Sequence, residues 1–242
     1  MAASSSSASS LQWGKIGVSS QLEVREREAW GRGVYAATAL STGLEVMRAE
    51  PLVHVLSNDV RGQLCDFCLR ESQSLLKCGR CKYVRYCSKT CQRGDWRFHK
   101  GECGGIARAQ PHSPTPLARL VVRCLLVDAE EETQRATEFL CSNEDKLSLE
   151  VKEDAATLMV CVRLLLENPE TSAMRRAYTL LCKALCNTFT IHGSGLDPIG
   201  AGIYVGPSLL NHSCRPNCVA VFNGTSMTVR TIEPVQQGHQ LL

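Results

Sequence analysis

Near both ends of this chain apolar residues fall in short runs broken by turn formers, while between them they recur at helical spacing. That contrast predicts strands outside and helices inside. From Leu22 to Leu56 the runs Gly33-Val34-Tyr35-Ala36 and Leu52-Val53-His54-Val55 are punctuated by Gly31, Gly33, Gly43 and Pro51, which suggests a small turn-rich sheet. Leu117 to Val127 places Leu117, Leu120, Val121 and Leu125 on one helical face. Lys152 to Glu167 does the same with Ala156, Met159, Val160, Leu164 and Leu165, and Asn168-Pro169 should end it. A third helix, Ala173 to Thr188, carries Ala177, Leu180, Leu181, Ala184 and Leu185, after which Gly193, Gly195 and Gly200 return the text to strands and turns. Gly104 to Pro116 holds two glycines and three prolines and reads as an irregular connector. The Ser- and Ala-rich start, residues 1–18, has too little apolar surface to offset its ordering entropy and is expected to be disordered. The two strand-bearing ends are expected to pack together, with everything between them inserted.

Composition narrows the class. At 242 residues with 44% apolar and 21% charged, the chain has a globular composition with room for a real core. A net charge of +3 is too small to argue for nucleic acid by itself. No run of about 18 apolar residues suggests a membrane span. The 14 cysteines come with no apolar signal segment after Met1, and half of them have metal spacing. A reducing compartment, nucleus and cytoplasm, is therefore expected.

The strongest chemistry lies between Cys65 and Cys103. Cys65, Cys68, Cys78, Cys81, Cys87, Cys91, His99 and Cys103 read as CxxC, CxxC, CxxxC and HxxxC, eight soft ligands and enough for two closed tetrahedral zinc sites. Neither site would keep an open position for catalysis. Cys87 and Cys91, like His99 and Cys103, are four apart, so a helix would place each pair on one face. Spacing alone leaves open whether the sites are successive or interleaved. Nine Lys or Arg against Asp66, Glu71, Asp95 and Glu102 give this segment a net +5. Seven thiolates and two Zn²⁺ would together add −3, leaving +2, which weakens the argument for DNA. An exposed aromatic such as Trp96 or Phe98 offers an anchor for a peptide partner.

The segment closely resembles a MYND zinc finger. That family interleaves its sites, so the resemblance implies Cys65, Cys68, Cys87 and Cys91 on one zinc and Cys78, Cys81, His99 and Cys103 on the other. Near the C-terminus, Leu209-Leu210-Asn211-His212-Ser213-Cys214-Arg215-Pro216-Asn217-Cys218 is similar to the signature of the SET domain of protein lysine methyltransferases. Trp30-Gly31-Arg32-Gly33-Val34 and Cys186-Asn187-Thr188-Phe189-Thr190-Ile191 resemble two further runs of the SET and MYND domain family. The resemblance implies an α+β chain, a split SET-domain β fold with an inserted MYND finger and an inserted helical region. Its parts would be residues 20–60 (SET, first piece), 65–103 (finger), 104–116 (connector), 117–185 (helical insert) and 186–242 (SET, second piece).

It also implies an S-adenosylmethionine-dependent lysine N-methyltransferase acting on histone or other protein lysines. Trp30, Gly31, Arg32, Asn187, Ser208, Asn211 and His212 would contact the cofactor. The family's active-site tyrosine would lie beyond Leu242, so no catalytic residue is assigned and activity is expected to be impaired. The competing expectation is an inactive adaptor whose finger binds partner proteins in transcriptional regulation. Cys124, Cys141, Cys161, Cys182 and Cys186 have no role in such chemistry and read as buried small hydrophobes. Cys214 is expected to be a free thiol.

Overall fold

The computed structural model describes residues 19–27, 31–128 and 136–242. The expected tail, residues 1–18, and Trp30 lie outside them. The strands are β1 (Leu22–Arg27), β2 (Gly31–Ala36), β3 (Glu45–Ala49), β4 (Val53–Leu56), β5 (Leu76–Lys77), β6 (Arg85–Tyr86), β7 (Thr188–His192), β8 (Pro198–Ile203), β9 (Cys218–Asn223), β10 (Ser226–Thr231) and β11 (Gln240–Leu241). The helices are α1 (Lys89–Ala109), α2 (Pro116–Val127), α3 (Leu149–Leu165) and α4 (Thr171–Asn187). The chain divides into two compact units, residues up to 50 with 205–221 and 226–242 in one, and residues 51–204 with 222–225 in the other.

In the first unit, strands from the two ends of the chain pair directly. One antiparallel sheet has the order β1-β2-β11, with Val34 opposite Leu241, and another has the order β3-β10-β9, with Met47 opposite Val229. Val34, Ala36, Val46, Met47, Met227, Val229 and Leu241 are buried there. Residues about 180 to 207 positions apart thus share a ladder, and the expected packing of the two ends takes the form of common sheets.

The second unit is organised on α2. Thr115 caps that helix, its Oγ1 accepting from the Ala118 N–H at 3.2 Å, and Pro116 stands at its first turn, where no N–H is needed. The helix packs against α1, α3, α4 and the sheet β4-β8-β7. With neighbours on so many sides it is buried almost all round. Strand β4 (Val-His-Val-Leu) is buried at every position.

Three expectations change. The connector over 104–116 is mostly helix, because α1 runs on to Ala109. Gly105 permits this: a Cβ there would overlap the Leu165 carbonyl, so the glycine is a close approach of α1 to α3 instead of a breaker. The expected apolar face of α3 is also rotated. Ala155, Val162 and Leu165 are buried, whereas Val160 and Leu164 are 59% and 63% exposed, since contact with α1 and α2 selects the buried side. On α2, Leu117 and Leu125 are only half-buried while Arg119 and Arg123 are fully inside.

Candidate functional site

The eight finger ligands come together in two groups of four. Cys65, Cys68, Cys87 and Cys91 form one and Cys78, Cys81, His99 and Cys103 the other, each with its ligand atoms within 4.8 Å of one another. Local structure explains the convergence. Ser88 caps α1 by accepting from the Cys91 N–H at 3.1 Å, and the helix then carries Cys91, Asp95, His99, Glu102 and Cys103 inward at spacings of three and four. The paired strands β5 and β6 flank the second CxxC, β5 ending just before Cys78 and β6 just before Cys87. The second group is fully buried, and His99 Nε2 stands 3.4 Å from Cys78 Sγ and 3.5 Å from Cys81 Sγ.

Electrostatics test whether these groups suit a cation. In the metal-free chain, burial acts to raise the Cys78 thiol, but backbone N–H groups and His99 outweigh it and bring the thiol down to about 6. Cys103 in the same group is pushed up to about 12, by burial and then by the sulfurs of Cys81 and Cys78. In the other group Cys68 is likewise raised to about 12, by burial and the adjoining sulfurs. In each group neighbouring sulfurs add to burial in raising one thiol, a repulsion that a bound divalent ion would relieve. The donor set, seven sulfurs and one imidazole in closed fours, fits zinc.

Behind the second group lies a buried charge network that the sequence did not disclose. His99 Nδ1 donates to Glu102 Oε1 at 3.3 Å. Glu102 also accepts from Arg119 (Nη2 to Oε1 2.9 Å, Nε to Oε2 3.1 Å) and from Arg123 (Nη2 2.8 Å and Nε 3.1 Å, both to Oε1). Arg123 continues to Asp95 (2.9 and 3.2 Å) and to the His54 carbonyl (2.9 Å), and Tyr86 donates its hydroxyl to Asp95 at 2.7 Å. Arg119 reaches Asp66 at 3.4 Å. All five charged side chains are at most 1% exposed. Burial works to raise the Glu102 carboxyl, yet Arg119 and Arg123 hold it well below the usual range, so it stays ionised. For His99 burial acts to lower the pKa, but hydrogen bonds with Cys81 and Glu102 raise it to about 10 in the metal-free chain. The one available signal was a pair of arginines four apart on an otherwise apolar helix.

In the first unit, the run from Ser208 to His212 begins inside a short turn, Pro207–Leu209, that packs against β2. This brings Gly31, Arg32, Ser208, Asn211 and His212 into one unit. A Cβ on Gly33 would collide with the Gln240 amide, and Asn211 Nδ2 lies 3.2 Å from the same point. Gln240 Nε2 is buried there with no hydrogen-bond partner. An orphaned donor beside the side-chain-free Gly33 fits a polar ligand group. Gln240 was not singled out from sequence because a lone glutamine near a glycine carries no pattern. Asn187 belongs to the other unit, where its amide donates to the carbonyls of Cys141 (2.8 Å) and Lys183 (2.7 Å) at the end of α4.

The expectations for the aromatics and the remaining cysteines divide. Trp96 is 48% exposed, but Phe98 is buried and unsuited to anchoring a peptide, because α1 turns it inward toward the Arg123 guanidinium, 5.7 Å from its ring. Cys124 and Cys182 are buried small residues, Cys161 is half-buried, and Cys141 and Cys186 are exposed instead of buried. Cys214 is an exposed free thiol 3.6 Å from His212 Nε2.

The paired terminal pieces and the inserted two-site finger define a SET-type fold carrying a MYND finger. The MYND finger family model matches residues 65–103. Human histone-lysine N-methyltransferase SMYD3 is 34% identical over 221 residues, covering 87% of this chain and 52% of the relative. N-lysine methyltransferase SMYD2-B of Xenopus laevis is 31% identical over 231 residues, covering 87% and 51%. The chain thus carries a MYND finger and is similar over most of its own length to SMYD-type SET and MYND proteins, and it spans about half the length of the curated relatives it matches. The crystal structure of the SET domain of LSMT bound to lysine and AdoHcy matches with a TM-score of 0.50, covering 96% of this chain and 51% of that one; at 9% identity the likeness concerns the fold.

Proposed function

We propose that this chain acts as a protein-lysine N-methyltransferase with S-adenosylmethionine as methyl donor, on histone or other protein lysines. The observation that carries the reading is the meeting of the Gly31–Gly33 strand with the Ser208–His212 run in one unit, beside the orphaned Gln240 amide. Gly31, Arg32, Ser208, Asn211 and His212 are the residues proposed to hold the cofactor. When bound, S-adenosylmethionine supplies a sulfonium methyl group for transfer to an amine. The chain's own part is to bind and orient, with Asn211 and His212 offering polar contacts and Gly33 leaving room for the Gln240 amide beside them. No covalent nucleophile is required, so the exposed thiol of Cys214 needs no role in it.

The finger supports a second reading, in which it binds partner peptides. Trp96, half exposed on α1 and edge-on to His99 at 6.1 Å between ring centroids, is the anchor proposed for them. Nucleus and cytoplasm are the compartments proposed, because the thiolates require reducing surroundings. The test is incubation of the zinc-loaded chain with labelled S-adenosylmethionine and histones, beside a His212→Ala control. Label transferred above the control supports the enzyme. Cofactor and histone binding without transfer would leave the adaptor reading in its place.

A further inference from the structure

We propose that Glu102, gripped by Arg119 and Arg123 of α2, is the positioning residue of the second zinc site, so that the finger's metal retention is set in part by the helical insert outside it. The argument starts from the ring of His99. Its Nε2 faces the sulfurs of Cys78 and Cys81 at 3.4 and 3.5 Å, so Nε2 is the ligand atom and Nδ1 carries the remaining hydrogen. Nδ1 points at Glu102 Oε1, 3.3 Å away. A carboxylate there fixes the tautomer, holds the ring plane toward the metal and increases the basicity of the ligating nitrogen.

A carboxylate can do this only if its own position and charge are held. Four guanidinium nitrogens from Arg119 and Arg123 converge on Glu102, and both arginines are fully buried. They come from α2, which begins at Pro116, beyond the last ligand Cys103. The other group is made of four cysteines and so offers no imidazole for a carboxylate to orient. The two zinc sites are therefore unequal: both draw all their ligands from the finger, but only the second has a ligand oriented by a carboxylate that a helix outside the finger holds.

The experiment uses the full chain. Zinc affinity is measured by competition with a chromophoric chelator, and cobalt substitution separates the two sites, because a site of four cysteines and a site of three cysteines and a histidine absorb differently. Glu102→Gln should weaken the histidine-containing site about 10- to 100-fold and leave the all-cysteine site within about twofold. His99→Cys supplies the discriminating background, since a sulfur ligand needs no imidazole to be oriented. In that background the added Glu102→Gln should change affinity by no more than about twofold. Equal losses with and without His99 would overturn the proposal, showing that Glu102 acts only on the fold, and so would unchanged affinity in Glu102→Gln. Should that variant fail to fold, Arg119→Lys keeps the charge but loses the two-pronged grip on Glu102. A selective loss at the histidine-containing site then supports the proposal, and wild-type affinity there overturns it.

Discussion

Replacing Arg123 with methionine removes a charge from a place water does not reach. The guanidinium makes two contacts with Asp95, two with Glu102 and one with the His54 carbonyl. Without it, Asp95 keeps the Tyr86 hydroxyl at 2.7 Å but loses its guanidinium partner, while Glu102 keeps Arg119. The perturbation is therefore one buried carboxylate stripped of its counter-charge, in a site where the charged participants are at most 1% exposed. Breaking a buried pair from one side costs about 3–5 kcal/mol, against a total stability of roughly 5–15 kcal/mol for a folded domain. Urea unfolding of the zinc-loaded chain, followed by helical circular dichroism, reads the effect directly. All four described helices lie in the affected unit. Adding Asp95→Asn to Arg123→Met removes the stranded charge and should restore at least about 1 kcal/mol, a coupling typical of groups in contact. A loss below about 1 kcal/mol for Arg123→Met, or no relief in the double variant, would refute the view that this network is electrostatically interlocked.

Two further outcomes follow from the same geometry. Gly105→Ala should destabilise the chain by about 1–3 kcal/mol, because its methyl would overlap the Leu165 carbonyl and push α1 from α3; thermal unfolding checks it, and an unchanged midpoint would contradict the close approach. His54 is buried beside Arg123 and held neutral, its pKa lowered to about 4. Since its unfolded value is about 6.5, the stability it contributes is complete above that pH and is lost as pH falls toward 4, by about 3 kcal/mol in all. His54→Gln should flatten that part of the stability profile, measured by urea unfolding between about pH 7 and pH 5; an identical slope in both proteins would contradict the assignment.

The finger was legible in sequence because its ligands are local: CxxC and HxxxC spacings reflect turns and helix faces that hardly depend on the remainder of the chain. The split sheet was legible as two strand-bearing ends, though only pairing such as Val34 with Leu241 shows how they join. What was missed required tertiary context. Gly104 and Gly105 look like helix breakers until α3 is seen lying against Gly105, and α1 runs through both. Arg119 and Arg123 look like a solvent face until three carboxylates, two of them on α1, are found opposite them. Propensity and periodicity assign an exposed side to charges by default, and a buried ion network inverts that default. Val160 and Leu164 err in the other direction: both fit an apolar stripe, yet the helix turns them outward because Ala155, Val162 and Leu165 make the contacts.

The measurement closest to the central claim is a calorimetric titration of S-adenosylhomocysteine into the zinc-loaded chain, beside Asn211→Ala. Saturable one-to-one binding, weakened at least about tenfold when the Asn211 amide is removed from its place by Gly33, is the result predicted; tenfold corresponds to about 1.4 kcal/mol, the scale of a single hydrogen bond to a charged group. A folded, zinc-replete chain that takes up no S-adenosylhomocysteine would contradict it.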